Sequence, residues 1–284
     1  MQELLEQFKI HLQEKDSSPE TIKAYLSDIK KFAGWYRETE GTAPDMNTVG
    51  SLDIAEFKRY LLNKKQKPST INRAIISLSA FFNYLGISNP AKEIKLLPEV
   101  KTAPRALERK ELLALIRSVR ASGKLRDIAI IILLLHTGLR VAELCALNVD
   151  DVILKERSGY VVVRSGKGNK RREVPLNSTA RNALKEWLDV RDNNSTALFT
   201  GKRSNPLSTR AVEQLLKKYS IRAGLENITP HVLRHTFCKS LVDAGESLDR
   251  VATLAGHENL NTTAKYTKAT GKDLQNAVEK LSWE

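Results

Sequence analysis

The chain has 284 residues, 41% of them hydrophobic, enough for one large or two ordinary domains with real cores. Its formal net charge of +13 and sequence pI near 9.7 point to a polyanionic partner, with nucleic acid the first candidate. Two distant cysteines, Cys145 and Cys238, lack C-x-x-C spacing and so indicate neither a zinc knot nor a disulfide framework. Cys145 lies among apolar residues and reads as a small core filler. Met1 to Glu6 shows no apolar signal core, and the apolar run Ile128 to Leu135 is too short to span a bilayer. A cytoplasmic protein with no membrane partner is the expectation.

In chain order, the first elements are helices. Leu4, Leu5, Phe8, Ile10 and Leu12 give a roughly helical apolar pattern. Ser18-Pro19-Glu20 is a helix start, with Ser as cap and Pro in the first turn. Ile22, Tyr25, Leu26, Ile29, Phe32, Ala33 and Tyr36 follow at helical spacing. After a polar loop, Ser51 is expected to cap a third helix. Past the basic turn Lys64-Lys65-Gln66-Lys67-Pro68, Ser69 or Thr70 is expected to cap a fourth, which Gly86 ends. These four make a helical domain over residues 1–88. Residues 89–107 hold Pro90, Pro98 and Pro104 without periodicity and read as an extended linker.

The second domain, 108–284, opens with helices from Glu108, over Leu125 to His136, and over Arg140 to Leu147. The period then changes. Val152 to Leu154, Tyr160 to Val163 and Arg172 to Pro175 read as short strands. The Gly166-Lys167-Gly168-Asn169-Lys170 stretch turns the last pair into a hairpin. Helices follow over 178–190, 208–223, 231–244 and 247–255, then a short one around Tyr266 and a tail from Lys272 to about Leu281. The expected fold is mainly α with a small antiparallel β-sheet.

One residue set carries chemistry. His231 and Arg234 share a helix face, since positions three apart are neighbours there. His257 follows Gly256, which can stop a helix. Arg140 stands at a helix start, Lys167 on a turn, and Tyr266 soon after His257. Guanidinium forks fit phosphate oxygens and stay charged. A tyrosine hydroxyl can attack phosphorus to give a covalent intermediate, and a lysine can protonate a leaving oxygen. Each residue alone is more simply a salt-bridged arginine, a loop histidine, a half-buried tyrosine or a solvated lysine. Weight comes from their occurring together in a basic chain.

Other motifs fail. His231 and His235 flank Val232 where a zinc hydrolase has Glu, no Gly-Lys pair is followed by Ser or Thr as in a P-loop, and no acidic cluster suggests a two-metal nuclease.

The segments Thr137-Gly138-Leu139-Arg140, Gly166-Lys167-Gly168-Asn169-Lys170, His231-x-x-Arg234-His235-Thr236-Phe237, Leu254-Ala255-Gly256-His257 and Thr262-Thr263-x-x-Tyr266 are read together. With them the chain resembles the tyrosine recombinases, or phage-type integrases, most like the Xer and transposon resolvase branch. The resemblance implies a SAM-like core-binding domain and an α+β catalytic domain closing as a C-shaped clamp on double-stranded DNA at a specific recombination site. It implies that Arg140 and Arg234 hold the scissile phosphate, Lys167 protonates the 5′ oxygen, His231 and His257 bond the phosphate and move protons, and Tyr266 forms a 3′-phosphotyrosyl link. Glu143 would support the site from behind. No cofactor or metal is implied.

By the same resemblance the partners are a second copy on one site and a tetramer in synapsis, with room for an accessory protein or accessory DNA sites. The tail stripe Leu274, Val278 and Leu281 would be exchanged between protomers. Lys64, Lys65, Lys67, Arg171, Arg172, Lys202 and Arg203 are candidates for DNA phosphate contact. The tail lacks a basic His-Pro-Arg ending, which tilts the reading from chromosome-dimer resolution toward a mobile element. A type IB-like DNA topoisomerase and a catalytically silent DNA-binding relative are the alternatives.

Overall fold

Four α-helices form the first unit, each bounded by residues suited to the task. α1 spans Gln2–Glu14, α2 Pro19–Glu40, α3 Ser51–Asn63 and α4 Pro68–Leu85. The Ser18 hydroxyl accepts the Thr21 N–H at 3.1 Å, and α2 ends on left-handed Gly41. Left-handed Gly86 ends α4, as the sequence suggests.

Two caps differ from expectation. Gly50, not Ser51, caps α3, and the Asp53 carboxylate accepts its N–H at 2.8 Å. Pro68 takes the first position of α4, so the cap moves back to Lys67; the fixed φ of proline suits that first position. Phe8, Phe32, Phe57, Phe81 and Phe82 fill the core between these helices. Asp28 is buried there and accepts the Arg73 Nε at 2.8 Å and the Ser77 hydroxyl at 3.2 Å.

The computed structural model describes residues 1–99, 104–164, 171–192, 194–201, 205–257, 260–267 and 278–279; the side chains of 260, 261, 266 and 267 lie outside that description. It divides into two compact units, Met1–Lys101 and Thr102–Glu284. The stretch 89–107 differs from a free linker. Pro90–Glu93 forms a 3-10 turn with Pro90 and Ala91 buried. Asn72 donates to the Leu97 carbonyl at 2.9 Å and accepts the Leu97 N–H at 2.8 Å, which ties this segment to the first unit. Leu107 is buried in the second unit, its N–H donated to the Thr236 hydroxyl at 2.8 Å. A lack of periodicity therefore did not mean a lack of packing among the described residues of this stretch.

The second unit is organised around α6 (Leu125–Thr137). Every residue from Ala129 to Leu135 is buried, because α6 packs against helices on several sides. Those neighbours are α5 (Arg109–Arg120), α7 (Val141–Ala146), α8 (Ser178–Val190), α9 (Thr209–Arg222) and α10 (Pro230–Asp243). Near its start, buried Asp127 accepts the Tyr219 hydroxyl at 2.7 Å and the Arg126 guanidinium.

Strands β1 (Val152–Leu154), β2 (Gly159–Arg164) and β3 (Arg171–Pro175) form an antiparallel sheet in that order. Val161 faces Val174, and Val163 faces Arg172. The chain continues through α11 (Leu248–Ala255), α12 (Leu260–Thr263) and a 3-10 turn, Ala264–Thr267. No helix among the described residues is long and apolar enough to cross a membrane. The tail expected from Lys272 to Leu281 lies outside the described residues except at 278–279.

Candidate active site

Two helix ends and one strand bring the site together. α6 stops at Gly138 with φ +61°, a left-handed turn that releases the chain toward Arg140. Arg140 caps α7, and the Glu143 carboxylate accepts its backbone N–H at 2.7 Å and its Nη1 at 2.8 Å. The Arg140 Nη2 donates to the Gly256 carbonyl at 2.9 Å. Gly256 in turn is the left-handed cap of α11, with φ +68°.

Arg234 enters from α10. Pro230 opens that helix and Thr229 caps it, accepting the Val232 N–H. One turn in, the Arg234 side chain is buried and its Nη1 donates to the Gly138 carbonyl at 2.6 Å. Its Nη2 is buried with no hydrogen-bond partner among the described residues. A buried guanidinium proton facing no acceptor costs free energy unless an anion completes it. Burial, and after it the charge of Arg140, lower the pKa of Arg234.

The histidines differ from one another. His231, at the start of α10, is exposed. His257 is half-buried, its Nδ1 within 2.9 Å of the Thr263 hydroxyl. Burial first, then Arg234 and Arg140, push its pKa down to about 4. His235, one residue past Arg234, is likewise brought to about 4 by burial, then by His231, Arg234 and Lys265. Both imidazoles are therefore neutral at pH 7 and have a nitrogen lone pair able to accept a proton. Sequence reading quoted His235 only as part of a motif; its helical step beside Arg234 was the available signal.

Glu143 is nearly enclosed. Burial alone would raise its pKa, but hydrogen bonds from Arg172 and from the Arg140 backbone outweigh that and hold it down. The Arg172 Nη1 and Nη2 reach its two oxygens at 3.0 and 2.9 Å. Arg172 thus stands elsewhere than expected. As a surface phosphate contact its side chain should be open, yet it is only 16% exposed and faces inward. The reason is the strand period of two: Arg172 shares its face of β3 with buried Val174, while Arg171 and Glu173 face out. That alternation was readable in the sequence.

Arg171 is exposed and meets Glu173 at 3.3 Å. Lys64, Lys65 and Lys67 are exposed on the turn between α3 and α4, with the Lys64 ammonium 5.6 Å from the Tyr60 ring centre. Tyr266 lies on the 3-10 turn Ala264–Thr267, which packs against α10. Its side chain, together with Lys167, Lys202 and Arg203, lies outside the described residues.

Comparison with known proteins covers both units. A model described as "Phage integrase family" matches residues 105–272, and one described as "Phage integrase, N-terminal SAM-like domain" matches residues 5–86. Tyrosine recombinase XerA of Thermococcus kodakarensis is 35% identical over 281 residues, covering 98% of this chain and 95% of that protein. The TnP I resolvase of Bacillus thuringiensis is 31% identical over 98% of this chain and 100% of its own length. The crystal structure of XerH site-specific recombinase bound to difH substrate, in a pre-cleavage complex, shares the fold. Its TM-score is 0.74 at 23% identity, over 99% of this chain and 84% of that one.

Likeness of this breadth, together with the fold, defines a tyrosine site-specific recombinase. The chain belongs to the phage integrase family.

Proposed function

We propose that the protein cuts and rejoins double-stranded DNA at a specific site, with Tyr266 as nucleophile. The observation that carries this is the pairing of two guanidinium groups, Arg140 and Arg234, anchored by the carbonyls of Gly256 and Gly138 with one buried Arg234 donor left over. A phosphodiester oxygen satisfies that donor. Donors fixed in advance against developing charge are usually the largest catalytic contribution.

In the proposed step the Tyr266 oxygen bonds to phosphorus while the bond from phosphorus to the 5′ oxygen breaks. The phenol proton passes to an imidazole, His257 or His231, because a free phenol with a pKa of about 10 is seldom ionised at pH 7. Lys167 gives a proton to the departing 5′ oxygen. The covalent phosphotyrosine keeps the bond energy, so the reverse attack by a 5′ hydroxyl reseals the strand without a nucleotide cofactor. Glu143 keeps Arg140 in place.

Lys64, Lys65, Lys67, Arg171, Lys202 and Arg203 contact backbone phosphates in this reading and give position, not sequence. The protein acts in the cytoplasm as a dimer on one site and a tetramer in synapsis, with the 274–281 stripe exchanged between copies. It resolves dimers or cointegrates, or moves an element in and out of DNA. The likeness to both Xer proteins and a transposon resolvase supports that range. Neither the topoisomerase nor the silent DNA-binding alternative is favoured.

The test is to incubate the purified protein with a library of nicked duplexes, isolate covalently bound DNA and sequence it. One recurrent site and a loss of the adduct in Tyr266→Phe are expected. An adduct that survives in Tyr266→Phe, or no adduct on any DNA, rejects the reading.

A further inference from the structure

Arg172 has no part in the reaction just described, yet it is built into the centre of the site. Its two terminal nitrogens hold both oxygens of Glu143, the same carboxylate that takes the Arg140 backbone N–H and Nη1. Its guanidinium also lies directly beneath Gly256: a methyl group added there would sit 2.7 Å from the Arg172 Cζ. The Gly256 carbonyl above it receives the Arg140 Nη2. Arg172 thus bonds the carboxylate that supports Arg140 and lies against the residue whose carbonyl does the same.

We propose that Arg172 is a positioning residue for strand cleavage, holding Arg140 in place and keeping its charge available to the phosphate. This rests on the reading that Arg140 grips that phosphate. The charge count explains the need. Arg140 with Glu143 alone is a neutral pair, which offers a phosphate little attraction. Adding Arg172 leaves the trio at one net positive charge, so Arg140 is steered by a carboxylate without being cancelled by it. The side chains of Arg172 and Glu143 are only 16% and 10% exposed, so solvent screens this balance weakly. The four donors also fill the acceptor sites of the carboxylate, which fixes its rotation. Among the described residues the buried Arg172 Nε has no partner, a local cost of the kind functional sites carry.

The test uses the full-length protein and the DNA site that the wild-type chain cuts. Single-turnover adduct formation, DNA affinity and thermal unfolding are measured for Arg172→Gln, Arg172→Lys, Glu143→Gln and the Glu143→Gln/Arg172→Gln double variant. Arg172→Gln should slow adduct formation on the order of 10²-fold, while DNA affinity changes by less than about threefold. Arg172→Lys should recover part of the rate, because charge returns without the two-pronged grip. With Glu143→Gln already present, Arg172→Gln should cost far less, because no carboxylate charge remains to be offset.

An unchanged rate in Arg172→Gln, or an equal loss with and without Glu143, overturns the proposal. Should Arg172→Gln not fold, Arg172→Lys decides, and a rate within about twofold of wild type overturns it. A wild-type protein that forms no Tyr266-dependent adduct rejects the function itself, and this inference with it. A wild-type adduct with indifferent Arg172 variants rejects the inference alone.

Discussion

Arg234 donates from Nη1 to the carbonyl of Gly138 at 2.6 Å, joining α10 to the end of α6 across 96 positions of chain. The contact exists because Gly138 takes a left-handed conformation at the helix end. It gives the buried guanidinium one fixed acceptor, while Nη2 has none among the described residues.

Gly138→Ala should therefore damage fold and site together. A side chain at φ +61° is strained, and the added methyl would overlap the ring edge of Phe237. A loss of about 3 kcal/mol is expected from the two effects. Urea unfolding measures it, and a midpoint equal to wild type would show that the turn relaxes freely.

Replacing Arg234 by Met should separate stability from activity. The buried, underbonded charge is costly, and an apolar side chain of similar length removes that cost. Stability should hold or rise by about 1 kcal/mol, while adduct formation falls on the order of 10³-fold. A variant that unfolds at lower temperature than wild type contradicts this.

The two neutral histidines set a pH dependence. His235 and His257 titrate near 4 in the folded chain, whereas free imidazoles titrate near 6.5. Between those values the unfolded chain binds protons that the folded chain refuses, so stability declines as pH falls through that window. It is fully present above about 6.5, and these groups add no further loss below about 4. Unfolding midpoints from pH 7.5 to 4 should show that slope, and His257→Gln with His235→Gln should flatten it. Added sulfate should raise both pKa values in a proton NMR titration, by neutralising nearby arginines; shifts that ignore sulfate argue against an anion site.

Thr236→Val tests the seam between residues 104–107 and α10. The hydroxyl accepts the Leu107 N–H and donates to the Val232 carbonyl, both at 2.8 Å. An isosteric methyl leaves that N–H buried and unpaired, at a cost of about 1–3 kcal/mol. Faster hydrogen exchange at the Leu107 amide should accompany it, and unchanged protection there would show that another acceptor takes over.

Local chemistry was the legible part of the sequence. Ser18 with Pro19, and the glycines at 86 and 256, bound their helices as read, because a cap or a left-handed turn depends on a few adjacent residues. The Gly50 and Lys67 caps were missed because a neighbouring hydroxyl offered an equally good local choice, and Asp53 and Pro68 decided between them.

The sequence by itself determined helices α1 to α11, the three short strands and the family to which the residue set belongs, since periodicity, caps and motif spacing are properties of neighbouring positions. Only the tertiary structure decided that the inward Arg172 meets Glu143, that Arg234 is buried beside Gly138, that burial and nearby charges lower the pKa of His235 and His257, and that residues 89–99 pack on the first unit. Each of these depends on which distant groups exclude water and supply charge or a hydrogen-bond partner, and such neighbours exist only once the chain has folded.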